Sequence, residues 1–108
     1  MPEYFYRITM DTPLGPRYGK AGLQVVQGKA DGFLELFNRK EPLTGRVDES
    51  GSCRLQGKLV TLFHTIRYTA VGLIEKERLC LKLQGLLRGE PAIFQITGVP
   101  EGRKEKAE

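Results

Sequence analysis

The chain has 108 residues, a mass of 12.1 kDa and a formal net charge of +4 at pH 7. Hydrophobic residues make up 40% of it and charged residues 28%, a balance that excludes bulk disorder and is typical of one globular domain. No apolar run approaches the roughly 18 residues of a membrane helix, and so small a basic charge does not by itself indicate a nucleic-acid partner.

This composition predicts one domain and a short tail. We expect residues 1–100 to form the domain, and residues 101–108, in which acids alternate with bases, to form a charged flexible tail. The first four residues lack the basic and apolar regions of a secretory signal. We therefore expect a cytoplasmic protein without a membrane partner.

Apolar and polar residues alternate along most of the chain, which is the pattern of strands with one buried and one solvent-exposed face. Alternation of this kind is typical of antiparallel sheets, because buried parallel strands are apolar at successive positions. In chain order, the apolar sides of the predicted strands comprise Tyr4, Tyr6, Ile8 and Met10; Ala21, Leu23 and Val25; Leu43 and Val47; Cys53, Leu55 and Leu59; Ile66, Tyr68, Ala70 and Ile74; Leu79, Leu81 and Leu83; and Phe94 and Ile96.

Short polar or turn-forming stretches separate these strands and predict about eight of them, joined as an up-and-down meander. Segment 58–66 is ambiguous, because it contains no Gly, Pro, Asn or Asp although the chain must reverse direction there. The segment is consistent with a short helical turn, a bulged bend or one long strand.

Glycines recur inside the predicted strands at intervals of 12 to 15 residues, on the same side as the apolar residues. Glycine weakens a flat strand, so its repetition favours a sheet that coils tightly enough to close on itself. We therefore predict an all-β fold, a small antiparallel up-and-down β-barrel, with a two-sheet β-sandwich as the alternative. The meander resembles the calycin and avidin-like barrels in topology only, and no residue role is transferred from them. These glycines are Gly32, Gly45, Gly57, Gly72, Gly85 and Gly98.

Residues suited to catalysis or metal binding are sparse. One histidine, His64, and two separated cysteines, Cys53 and Cys80, make an ordinary zinc site impossible within one chain. By parity Cys53 points inward and Cys80 outward, so at most one of them can meet His64. The acids lie at turns, Glu41 among them, or face outward, so the interior lacks the paired carboxylates of a glycoside hydrolase. We expect no enzyme, metal or cofactor; an enzyme whose site is built from rim loops is the alternative.

The barrel interior is one candidate binding site. It would be apolar, with the hydroxyls of Tyr4, Tyr6 and Tyr68 as its polar groups and the bend at Phe63 and His64 at its rim. Its ligand would be small, apolar and uncharged, because a buried charge would have no partner. The alternative is a solid core, since a barrel of about eight strands is just wide enough for side chains to fill.

An outward apolar set on the early strands is a second candidate site. Its rings and one aliphatic side chain occupy a face that elsewhere carries Arg, Lys, Thr and Gln. Such patches usually mark contact with another protein, and the simplest partner is a second copy of the chain. In a sandwich, the other sheet would cover them instead. The set comprises Phe5, Val26, Phe33 and Phe37.

Basic residues on the outer face of later strands form a third candidate site. They could follow a phosphate backbone, but the lack of outward aromatic residues among them favours a solvated surface, and a nucleic-acid partner is disfavoured. The leading prediction is a non-enzymatic, self-associating binding module; the alternatives are a carrier of a small apolar ligand and a weak nucleic-acid-binding barrel. The basic residues are Arg46, Arg54, Lys58, Arg67 and Lys82.

Overall fold

The computed structural model describes residues 3–101, which form eight antiparallel strands closed into one barrel. Each strand pairs with the next along the chain, and the last pairs with the first, which confirms the predicted up-and-down barrel over the sandwich. No helix in this part of the chain is long and apolar enough to cross a membrane. The strands are β1 (Glu3–Thr12), β2 (Gly15–Val26), β3 (Lys29–Leu36), β4 (Arg39–Val47), β5 (Ser52–Val60), β6 (Thr65–Ile74), β7 (Leu79–Leu87) and β8 (Glu90–Pro100).

The connecting loops divide between the two ends of the barrel. The end that also carries the first and last described residues is called the near end, and the opposite one the far end. Because the strands alternate in direction, successive loops alternate between the ends. The near end carries loops 27–28, 48–51 and 75–78, and the far end carries loops 13–14, 37–38, 61–64 and 88–89.

Alternate residues of every strand point into the barrel and form one apolar core, as the sequence pattern predicts. Within residues 3–101, no polar or charged residue belongs to the fully buried class. Burial of these side chains is the main source of stability, since each large aliphatic residue contributes roughly 1.5–3 kcal/mol. The largest fully buried residues are Tyr6, Ile8, Met10, Leu34, Leu43, Leu55, Leu79, Leu81, Leu83 and Ile96.

Four of the six inward glycines, Gly32, Gly45, Gly72 and Gly85, lie where the backbone of a neighbouring strand approaches too closely for a side chain. A Cβ atom on Gly32 would overlap the carbonyl oxygen of Gly22, and one on Gly72 would overlap that of Cys80. Each of these carbonyls belongs to a strand that pairs with the glycine's own strand, β2 beside β3 and β7 beside β6. The barrel therefore coils through these positions, as the repeated glycines predict.

Segment 58–66 contains the end of β5, a short loop and the start of β6. The loop closes on itself, because the backbone N–H of Thr61 donates to the carbonyl of His64 (2.8 Å). The N–H of His64 donates in return to the Thr61 hydroxyl oxygen (3.1 Å). This side-chain bond takes the place of a glycine or proline turn, and the ambiguous segment is a tight hairpin bend.

The prediction for Glu41 is wrong. This residue does not lie at a turn, because β4 begins two residues before it, at Arg39. Glu41 is paired with Leu34 on the inward side of the sheet, and 15% of its side chain is exposed. It lies 3.8 Å from the Arg39 guanidinium, so an inward carboxylate at the far end is held by a neighbouring cation.

Candidate functional site

Two predicted interior tyrosines are buried, and their hydroxyls have different surroundings. The hydroxyl of Tyr6 donates to the carbonyl of Glu75 at 2.5 Å. The hydroxyl of Tyr68 is buried with no hydrogen-bond partner among residues 3–101. Burial raises the pKa of both phenols well above their usual range, so both stay protonated. Tyr4 is half-buried and stacks on Tyr6 with ring centroids 6.2 Å apart.

The five predicted interior site residues do not form one pocket. Tyr4 and Tyr6 lie towards the near end, whereas Phe63 and His64 lie in a loop of the far end. Phe63 is 81% exposed and points away from the core. The Nε2 atom of His64 accepts a hydrogen bond from the Arg88 side chain (3.3 Å). Transport of a small apolar ligand in the interior therefore stays a prediction.

The cysteines and the histidine lie at opposite ends of the barrel. Cys53 and Cys80 lie near the starts of β5 and β7 at the near end, and His64 lies at the far end. Burial raises the pKa of Cys53 to about 11, which keeps it a thiol at neutral pH. Within residues 3–101, no cluster of three or more His, Cys, Asp or Glu side chains could hold a metal ion. The described residues therefore do not assemble a Cys–His pair.

Phe5 and Phe33 of the outward apolar set come together on the barrel surface, over a glycine. The register pairs Phe5 with Gly22, Gly22 with Phe33, and Phe33 with Pro42. A Cβ atom on Gly22 would lie 2.5 Å from the Phe33 ring and 3.2 Å from the Phe5 ring, so the two rings cover this glycine. Phe5 keeps 42% of its surface exposed. These four residues, Phe5, Gly22, Phe33 and Pro42, are called the aromatic row.

The other two members of the predicted set lie apart from the aromatic row. Val26 faces outward and is 43% exposed, but it is four residues beyond Gly22 and pairs with Lys29 at the end of β2. Phe37 is not on the outward face, because β3 ends at Leu36 and the alternation stops there. Phe37 lies in the loop with a φ of 55° and packs against the core. The predicted face is therefore smaller than the sequence indicates.

Charged residues flank the aromatic row on both sides, with opposite signs. On each strand, the residue two positions from the aromatic row towards the far end belongs to a mainly basic row. The residue two positions from the aromatic row towards the near end belongs to an acidic row. The Lys40 ammonium of the basic row also lies 4.5 Å from the centre of the Phe33 ring, a cation–π contact. The basic row comprises Arg7, Lys20, Glu35 and Lys40, and the acidic row comprises Glu3, Gln24, Asp31 and Thr44.

The predicted basic residues of the later strands form one continuous outer surface, which is called the basic wall. The register places Arg46 directly opposite Arg54, and Lys58 directly opposite Arg67. Val71 lies opposite Arg54, and Lys82 lies opposite Val71, so Lys82 extends the row of Arg46 and Arg54 onto β7. The sequence shows that each residue faces outward, but it does not show which residues are neighbours, because that depends on the strand register.

Comparisons of the chain with models of known protein families, with curated proteins and with solved structures gave no match. The topological likeness to calycins and avidins accordingly stays a prediction. Any function for this barrel rests on the chemistry of its own residues, and the aromatic row and the basic wall are the two surfaces where that chemistry is concentrated.

Proposed function

We propose that this protein is a non-enzymatic binding module that associates with a second copy of itself through the aromatic row. The observation that carries the proposal is the pair of rings, Phe5 and Phe33, packed over Gly22 on the outer surface with charged rows of opposite sign on either side. Exposed aromatic residues with polar surroundings are typical of the centre of a protein–protein interface.

The charge pattern favours a second copy over an unrelated partner. A two-fold axis along the aromatic row brings the row of one copy onto the same row of the other. The same rotation places the basic row of each copy opposite the acidic row of its partner. On β1, Arg7 of one copy faces Glu3 of the other, because the two residues lie at equal distances from Phe5. On β3 the same rotation places Glu35 opposite Asp31, a like-charge pair that the adjacent Lys20 and Lys40 offset.

The close packing at Gly22 is consistent with this role. Because both rings pack against Gly22 and the Lys40 ammonium lies 4.5 Å from the centre of the Phe33 ring, neighbouring groups restrict the positions of the rings. Ordering of side chains costs about 0.5–1.5 kcal/mol each on association, and a surface that is ordered beforehand avoids part of that cost. A glutamate at position 33 would bring a charge into the centre of the interface, where desolvation is most expensive.

The proposal is tested by measuring the molar mass of the wild type and of Phe33→Glu by light scattering over a range of concentrations. We expect a concentration-dependent dimer for the wild type and a monomer for the variant. The matched control is Ile93→Glu, which places the same charge at a 62% exposed apolar residue of β8 outside the aromatic row, and which should leave the dimer intact.

A charge exchange tests the two-fold arrangement. Arg7→Glu and Glu3→Arg should each weaken the dimer about 2- to 10-fold, because each places like charges opposite one another. The double variant should recover most of the loss. A wild type that is monomeric at every concentration would contradict the proposal, and so would a dimer that tolerates Phe33→Glu and breaks with Ile93→Glu.

A further inference from the structure

The outward-facing positions of β4 to β8 carry several bases and no acid. The absence of acids holds for each of the five strands, which lie wholly within the described residues 3–101, whereas the bases lie on β4 to β7 only. The outward positions of β1 to β3, in contrast, carry four acids among their bases. These acids are Glu3, Asp11, Asp31 and Glu35.

Within the basic wall, cations lie directly opposite cations. Arg46 has Lys29 as its cross-strand neighbour on one side and Arg54 on the other, and Lys58 is paired with Arg67. Opposed side chains on antiparallel strands have Cβ atoms about 5 Å apart, and like charges in that position are destabilising. The two ion pairs of residues 3–101, Arg39 with Glu41 and Arg78 with Glu75, involve none of the basic wall residues. Bound anions would relieve this repulsion.

The cations of the basic wall lie in two basic rows, one with Arg46, Arg54 and Lys82 and the other with Lys58 and Arg67. An uncharged polar row runs between these two rows. Successive members lie directly opposite one another across four strands, and they offer hydroxyl and amide groups to a ligand. Since two residues along a strand span about 6.6 Å, the basic rows lie about 13 Å apart with the polar row midway between them. The members of this polar row are Thr44, Gln56, Thr69 and Gln84.

The surface between the first basic row and the polar row is not flat. Lys29, Arg46 and Arg54 border a depression of about 490 Å³, which Thr44 and Gln56 also line. One acid, Asp31, also lines it and is paired with Thr44. The depression thus combines three cations and one acid with uncharged hydrogen-bonding groups, so its net charge is positive, and cationic, hydroxyl and amide side chains are the residue types that contact phosphate and sugar oxygens.

We infer that the basic wall binds a nucleic-acid duplex through its two phosphate backbones, without reading the base sequence. The two basic rows contact phosphates of the two strands, and the Thr and Gln side chains between them contact the groove. A duplex fits better than a single strand, because proteins that bind single strands stack bases on aromatic residues and the outward positions of β4–β7 carry none. Backbone contacts alone supply non-specific affinity.

The experiment measures fluorescence anisotropy of a labelled 24-base-pair duplex, as DNA and as RNA, with the full chain at several salt concentrations. We expect a dissociation constant on the order of 10 µM at 0.1 M salt and an affinity that falls steeply as salt rises. The DNA and RNA arms show which duplex geometry is preferred, and tighter binding of either one supports the inference.

The test variant is the double change Arg54→Gln and Arg67→Gln, one residue from each basic row. It should lower the slope of log affinity against log salt by about 2, because each lost phosphate contact lowers it by about 1. The matched control, Lys76→Gln with Arg78→Gln, removes the same charge from two exposed residues of loop 75–78, outside both the aromatic row and the basic wall, and should change the slope little. Circular dichroism of both variants checks that the barrel is intact.

Three results would overturn the inference. They are binding that does not depend on salt, an equal loss in the test and control variants, and tighter binding of single strands or of heparin than of either duplex. Phe33 lies outside the basic wall, so Phe33→Glu should leave duplex binding by each copy unchanged. The duplex measurement can therefore fail or succeed independently of self-association.

Discussion

Tyr6 and Tyr68 place two hydroxyls among fully buried residues that are otherwise apolar, and the two differ in how their hydrogen-bonding capacity is satisfied. The Tyr6 hydroxyl reaches a loop carbonyl at the near end, that of Glu75. The Tyr68 hydroxyl lies beside Gly57, close enough that a Cβ atom there would come within 2.5 Å of it. A buried hydroxyl without a partner costs about 1–3 kcal/mol, whereas a satisfied one contributes about 1 kcal/mol.

The two tyrosines should therefore respond in opposite directions to loss of the hydroxyl. Tyr68→Phe should leave the free energy of unfolding unchanged or raise it by about 1 kcal/mol, because it removes an unpaired buried group. Tyr6→Phe, the matched control, should lower it by about 1 kcal/mol, because it leaves the Glu75 carbonyl without its donor. Urea unfolding measures both values. A clear loss of stability in Tyr68→Phe would mean that its hydroxyl is satisfied in solution.

At the scale of elements, the turns explain where sequence reasoning failed. The β3–β4 turn uses Phe37 and Asn38, with φ of 55° and 62°, where glycine is the usual residue. Because no glycine marks this turn, the sequence pattern places Phe37 in the strand and Glu41 at a turn. Both errors follow from placing one strand boundary a few residues away. The strand glycines, in contrast, predict the coiling of the sheet correctly, because they recur at a regular interval.

A methyl group at Gly72 should break the pairing of β6 with β7. Gly72→Ala places a Cβ atom on the backbone carbonyl of Cys80, which cannot move without separating the strands, so we expect a loss of about 3 kcal/mol or more. Gly89→Ala is the control: its φ of 80° is unfavourable for alanine, but nothing lies within 4 Å, so the loss should be about 1 kcal/mol. Equal losses, measured by thermal or urea unfolding, would contradict the close strand approach.

At the scale of the whole molecule, the barrel presents two outer walls of different chemistry. The wall formed by β1 to β4 carries the aromatic row between charges of opposite sign, and the wall formed by β4 to β7 carries bases with Thr and Gln between them. Because a closed barrel is rigid and has no unpaired strand edge, its exposed groups keep fixed spacings. The two proposals meet at Asp31 and Thr44, which belong to the acidic row and also line the depression beside the basic wall, whereas the rings and the basic wall residues belong to one proposal each.

Stability of the whole barrel should fall in alkaline solution. Burial raises the pKa of Cys53 from 9.0 to about 11 in the folded protein. The folded state therefore holds a proton that the unfolded chain loses, and this contribution is complete below pH 9 and is lost as pH rises through 11. The buried Tyr6 and Tyr68 act in the same direction at higher pH.

The alkaline effect is measured by comparing wild type with Cys53→Ala in urea at pH 8 and at pH 11. Between these values the wild type should lose about 2 kcal/mol more than the variant, since one pKa unit corresponds to about 1.4 kcal/mol. The variant starts from a lower stability at pH 8, because it loses buried volume, but its decline should be shallower. Parallel declines would show that the Cys53 thiol is not protected by the fold.

The sequence by itself determined most of the residues that face the core and favoured a closed sheet over a sandwich, because the alternation of side chains and the need for glycine at close approaches are local properties of each strand. Tyr6, Leu55 and Ile96 are buried as the alternation predicts. Only the tertiary structure decided which outward residues become neighbours: Phe5 with Phe33 across Gly22, and Arg46 with Arg54. The physical reason is register, which depends on the length and geometry of every turn, and a boundary shifted by one or two residues changes every cross-strand pair.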